Sequence, residues 1–220
     1  AATLLVQPAL VQGLVDAAGL SERSAGYVAS AEMFGVAIGT AAMALGATRV
    51  NWRTACAWSM AAMAILSAIS AAMLQTPFFM LLRLLVGVAS GIVMSISFAA
   101  VGRTSNPDRN FAWLVTCALI FGAVVVFAMP TLLRAIGLAG FLWLLSGYYA
   151  TGLAAVRWLA GSASNGTQPA NPSQVAQGAA GTGIGGLRQA LAVTAMFLYY
   201  IAQGAIWSYL ALMGSARGLS

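Results

Sequence analysis

Two charges lie deep inside apolar stretches of this sequence, Glu32 and Arg83. An ionised side chain at the centre of a bilayer costs about 2.5–3.5 kcal/mol on insertion scales, so such residues face a bundle interior and pair. Both lie several residues below the same end of their helices, so each can satisfy the other. Two kinds of chemistry fit a carboxylate and a guanidinium in apolar surroundings: proton coupling and recognition of a substrate anion. A salt bridge that only fixes two helices fits equally. Gly35 and Gly39 share the helical face of Glu32, and Gly87 and Gly91 that of Arg83. Small residues at this spacing let helix backbones approach closely, so each charged face is directed towards a neighbouring helix.

Other polar groups could line a cavity. Tyr200, Gln203 and Trp207 fall within about 60° of one another at 100° per residue. They form either a cavity wall or a helix contact. Gln7 and Gln12 flank Pro8, where a bend could face a wet cavity, and Pro130 is a second such position. Little else could do chemistry. The basic residues number ten and all are arginine, against four carboxylates and no histidine. Without histidine the commonest metal ligand and general base is missing. Without lysine no Schiff base can form, which rules out a retinal protein. No metal site and no cofactor is expected. The arginines are scattered, unlike a nucleic-acid footprint. Cys56 and Cys117 sit in apolar runs and read as small core residues.

The elements that position these groups follow from composition. The chain has 220 residues, is 61% hydrophobic and 6% charged, and has a mean hydropathy of +0.89. Soluble domains carry about 25% charged residues. So few charges cannot cover a soluble protein of this length, whereas lipid tolerates an apolar exterior. Apolar runs cover 1–15, 24–46, 54–74, 78–101, 111–133, 139–159 and 187–213, with a tight turn at 134–138. In lipid such runs must be helices, because every backbone polar group needs an internal partner. The expectation is an all-α polytopic membrane protein with seven transmembrane helices, the first and the chain itself read as cut short.

Residues 161–186 are uncharged and rich in Gly, Ser, Asn, Gln, Ala and Pro, the composition of a flexible linker. The chain thus divides into a six-helix bundle over 1–160, a linker over 161–186 and a further helix within 187–220. With the start of the first helix in the cytoplasm, cytoplasmic loops hold Arg49, Arg53, Arg103, Arg109, Arg157 and Arg188. The opposite side holds Arg23, Arg134 and Arg217. The positive-inside rule selects this orientation and makes the linker cytoplasmic. Trp52, Trp113 and Trp158 fall near cytoplasmic ends, where an interfacial belt would place them.

The order of these features resembles the major facilitator superfamily. Arg83-Leu84-Leu85-Val86-Gly87-Val88-Ala89-Ser90-Gly91 is similar to the RxxxGxxxG pattern of the family's fourth helix. The family's basic loop after the second helix is present in outline. Arg49 and Arg53 fit its basic positions and Ala47 its alanine, while Thr48, Asn51 and Trp52 replace an aspartate, a glycine and an arginine. Met129 precedes Pro130, where the antiporter pattern has glycine. The resemblance implies a full protein of twelve spans in two halves, of which this chain carries the first half and one further helix.

It also implies a secondary transporter, most simply a monomer in a bacterial inner membrane, that moves a small organic solute by alternating access and is ion- or proton-coupled. An organic anion would suit Arg83, and an aromatic compound the Tyr200, Gln203 and Trp207 stripe. Glu32 and Arg83 are then coupling or substrate contacts, with Gln7 and that stripe as the cavity wall. A non-transporting membrane sensor or scaffold on the same fold is the alternative. A membrane-embedded enzyme fits less well, since few catalytic groups are present.

Overall fold

The computed structural model describes residues 2–16, 19–46, 50–74, 76, 78–156 and 191. Five helices carry the chain: α1 (Ala2–Asp16), α2 (Glu22–Gly46), α3 (Trp52–Ala72), α4 (Phe78–Gly102) and α5 (Pro107–Ala155). No strand occurs among the described residues. α2, α3, α4 and α5 are each long and apolar enough to cross a membrane. α1 has 15 described residues, short of the roughly 20 that a span needs. The 161–186 linker lies outside the described residues, as does the 187–220 segment apart from Leu191, and with it the seventh expected helix's Tyr200, Gln203 and Trp207.

Local chemistry sets the ends of the helices. The Asn51 side chain accepts from the backbone N–H groups of Arg53 and Thr54 and so caps α3, satisfying donors that the first turn leaves free. Pro107 opens α5, where its missing N–H costs nothing. Gly19 takes a φ of 66° in the turn after α1, a left-handed conformation that glycine adopts without strain.

The fifth and sixth expected helices are joined in α5, whose departure from helical backbone falls inside the turn expected at 134–138. At 1.5 Å per residue its 49 residues would reach about 74 Å, more than twice the hydrocarbon core of a bilayer. It cannot cross once. The break is confined to Gly137, whose φ of 65° and ψ of −178° leave the helical region. Residues 107–136 and 138–155 therefore form two arms. Pro130 lies inside the first arm and is exposed, and the backbone around it stays helical.

The core is divided among three levels. At the end that holds Gly19 and Gly137, Leu10, Leu14, Val28, Phe79, Leu138 and Leu142 pack together. Met63, Val86, Ala89, Leu145 and Tyr149 fill the middle. Met43, Trp52, Cys56, Ile96 and Val156 close the opposite end. Trp52 is thus a core residue and not part of an interfacial belt. The Arg103 guanidinium covers its ring at 4.1 Å. Cys56 is buried as expected, but Cys117 is exposed on the first arm of α5, so it is not a core residue. Trp113 is exposed.

The pairing of helices follows a pattern. α2 packs most extensively on α4, α3 on α4 and α5, and α1 on α5 and α2. Gly13 of α1 lies against Leu133 and Leu138, on either side of the α5 break. The Ser146 hydroxyl in the second arm donates to the Ala64 carbonyl of α3 at 2.7 Å, and Phe98 of α4 meets Phe111 of the first arm.

Candidate functional site

At the glycine pairs α2 and α4 meet backbone to backbone. A Cβ added at Gly87 would overlap the Glu32 carbonyl oxygen, and one at Gly35 the Leu84 carbonyl oxygen. Gly39 meets the Val88 carbonyl in the same way, and Gly91 that of Val36. The pairs Gly35–Gly87 and Gly39–Gly91 keep one register, so the two helices run parallel. Both glycine motifs therefore have the packing role expected of their spacing. They also set Glu32 and Arg83 at one level, since each charge lies one turn from its first glycine.

Arg83 Nη1 stands 3.8 Å from Glu32 Oε1, and both side chains are almost fully buried, at 1% and 2% exposure. The expected pairing is present, but its length exceeds hydrogen-bond reach. Shorter contacts hold the guanidinium elsewhere. Arg83 Nη2 donates to Ser67 Oγ at 3.2 Å and to Ser70 Oγ at 3.4 Å. Ser70 Oγ spends its own proton on the Leu66 carbonyl at 2.7 Å, which leaves its lone pairs to Arg83.

Gln7 brings α1 to the same place. Its carboxamide lies beside the Glu32 carboxylate, yet falls short of hydrogen-bond geometry. Gln7 Oε1 and Nε2, Glu32 Oε2 and Arg83 Nε are all buried without a hydrogen-bond partner among the described residues. Each such atom costs about 1–3 kcal/mol if it stays so. The described residues thus bring together three of the expected site residues, Gln7, Glu32 and Arg83, and add Ser67 and Ser70. The serines were not legible as members, because a serine in a membrane helix can bond back to its own carbonyls. Their i, i+3 spacing on α3, at the end of the bundle shared with Arg83, was the available signal.

Remaining expectations fall elsewhere. Arg53 is exposed on the first turn of α3, at the far end of the bundle from the cluster. Arg49, Ala47 and Thr48 lie outside the described residues. Among the described residues no group of three His, Cys, Asp or Glu side chains could hold a metal ion. No protein-family profile, no curated protein and no solved structure matches the chain.

Proposed function

We propose that the chain is the first half of a secondary transporter of the major facilitator type, with part of the second. It would move a small organic solute by rocking two bundles about a central site. The observation that carries this reading is the close packing of α2 on α4 at the glycine pairs, which sets Arg83 of the RxxxGxxxG segment beside Glu32 inside the bundle. The glycine pattern of α4, the arginine asymmetry of the loops and the linker composition of 161–186 support it. The orientation with the first helix starting in the cytoplasm belongs to the same proposal.

The burial of the cluster decides which role Glu32 and Arg83 take in this reading. A solute contact should lie on a face that a single bundle leaves open. Gln7, Glu32 and Arg83 are covered by α1, α2, α3 and α4 of one bundle. We therefore place them in coupling and not in direct contact with a solute anion. The wall facing the solute then falls to other residues, including Tyr200, Gln203 and Trp207.

Uptake of a broad panel of labelled organic anions and aromatic solutes into vesicles carrying the full-length protein tests the reading. Uptake that depends on an ion or proton gradient supports it. No movement of any solute in either direction favours the sensor or scaffold built on the same fold.

A further inference from the structure

The end of the bundle that holds Arg53, Arg103 and Arg109 carries more positive charge than the side chains of this sequence can neutralise. All three arginines are exposed, and among the described residues the ion pair is that of Arg83 with Glu32. The carboxylates of the sequence are Asp16, Glu22, Glu32 and Asp108. Asp16 and Glu22 lie at the opposite end, where they balance Arg23 and Arg134, and Glu32 is inside the bundle. Asp108 alone stands against the three arginines, so their remaining counter-charge must come from outside the sequence.

Two contacts gather these arginines at one corner. Asn110 Nδ2 donates to Thr104 Oγ1 at 2.8 Å, which ties the residue after Arg109 to the residue after Arg103. The Arg103 guanidinium lies over the Trp52 ring at 4.1 Å, and Arg53 follows Trp52 in the sequence. A guanidinium held over a ring still presents N–H donors at its rim, in a fork that matches a phosphate. From Arg109 an exposed track leads along the first arm of α5. Trp113, Thr116 and Ile120 are exposed and fall within about 40° of Arg109 at 100° per residue. Ile120 lies about 16 Å along the helix from Arg109, which is half of the roughly 30 Å hydrocarbon core and so the depth that one acyl chain fills. We propose that this corner binds an anionic phospholipid, with its phosphate on Arg103 and Arg109 and one acyl chain along α5 over Trp113 and Ile120. Arg53 adds to the field that attracts the headgroup. The site requires a chain set in a bilayer and is independent of solute transport.

Tryptophan quenching by brominated acyl chains tests this on the reconstituted chain. Phosphatidylcholine vesicles carry a low mole fraction of either brominated phosphatidylglycerol or brominated phosphatidylcholine. The expected result is stronger quenching by the brominated phosphatidylglycerol. An arginine near a membrane surface contributes about a fivefold preference for anionic lipid, so Arg103→Gln with Arg109→Gln should remove most of the excess. Trp113→Phe should remove it as well, because Trp113 is the ring in contact. Trp58→Phe, at another exposed ring, and Arg134→Gln, at the far end of the same arm, should leave it in place. Inorganic phosphate, compared with chloride at equal ionic strength, should not displace the lipid, since it offers the oxygens without the chain. Equal quenching of the unaltered chain by the two lipids overturns the proposal. So does an excess that survives the double arginine change or the loss of Trp113. Displacement by inorganic phosphate would assign the arginines to a soluble anion and overturn it too.

Discussion

Replacing Gly87 by alanine tests the contact on which the whole cluster depends. The new Cβ would stand 3.0 Å from the Glu32 carbonyl carbon and 3.1 Å from the Gly35 Cα, besides overlapping the Glu32 oxygen. Carbon atoms rest at about 3.5–4.0 Å, so α2 and α4 must part by roughly 0.5–1 Å, and a gap of that size forfeits a quarter to a half of each contact's attraction. Overpacking costs about 1–3 kcal/mol, and here the upper end applies because both colliding groups are backbone. Alanine returns up to about 1 kcal/mol by favouring the helix. The net loss is about 2 kcal/mol, roughly a 30-fold change in the folding equilibrium. Reversible unfolding in mixed detergent micelles, followed by helicity, reads this. Gly147→Ala is the matched control, since a Cβ there meets nothing within 4 Å; it should be neutral or slightly stabilising. The packing argument fails if Gly87→Ala and Gly147→Ala are equally stable.

Two further substitutions separate other contributions. Glu32→Gln alone leaves Arg83 buried without a counter-charge and should cost about 3–5 kcal/mol, whereas Glu32→Gln with Arg83→Gln should cost less than the sum of the single changes. Additive losses in the same unfolding assay would mean that the two side chains do not interact. Gly137→Ala should destabilise by about 1–2 kcal/mol although nothing lies within 4 Å of its Cβ, because the φ of 65° is strained for any L side chain. An unfolding midpoint equal to that of the unaltered protein would show that the break in α5 does not need this backbone conformation.

The sequence made some of this legible and hid the rest for physical reasons. Glu32, Arg83 and the two glycine pairs could be read because a charge or a small-residue repeat in an apolar run has few acceptable surroundings. Gln7 was legible as a polar group in an apolar run, though not its place beside Glu32. Ser67 and Ser70 were hidden, since a hydroxyl in a helix has a local acceptor available and needs no distant partner. The turn expected at 134–138 is a break at one residue, because a single glycine at positive φ can interrupt a helix without a run of polar residues. Cys117 and Trp52 were misread in opposite directions. Apolar sequence in a membrane chain does not separate a lipid-facing position from a core one, and the cover that Arg103 gives Trp52 depends on the end of α4 meeting the start of α3.

The glycine contact between α2 and α4 has a mechanical consequence. At the glycine pairs backbone meets backbone, so these two helices have no soft layer of side chains there along which to slide. They act as one beam, two helices thick, with the Glu32–Arg83 pair riveted into its flank. The first arm of α5 is the opposite case, a strut that touches the bundle along one edge and leaves Leu119, Val124 and Phe127 uncovered. Any bending of the bundle under load should therefore concentrate in that strut and at the Gly137 joint, while the beam carries the cluster through the movement undeformed.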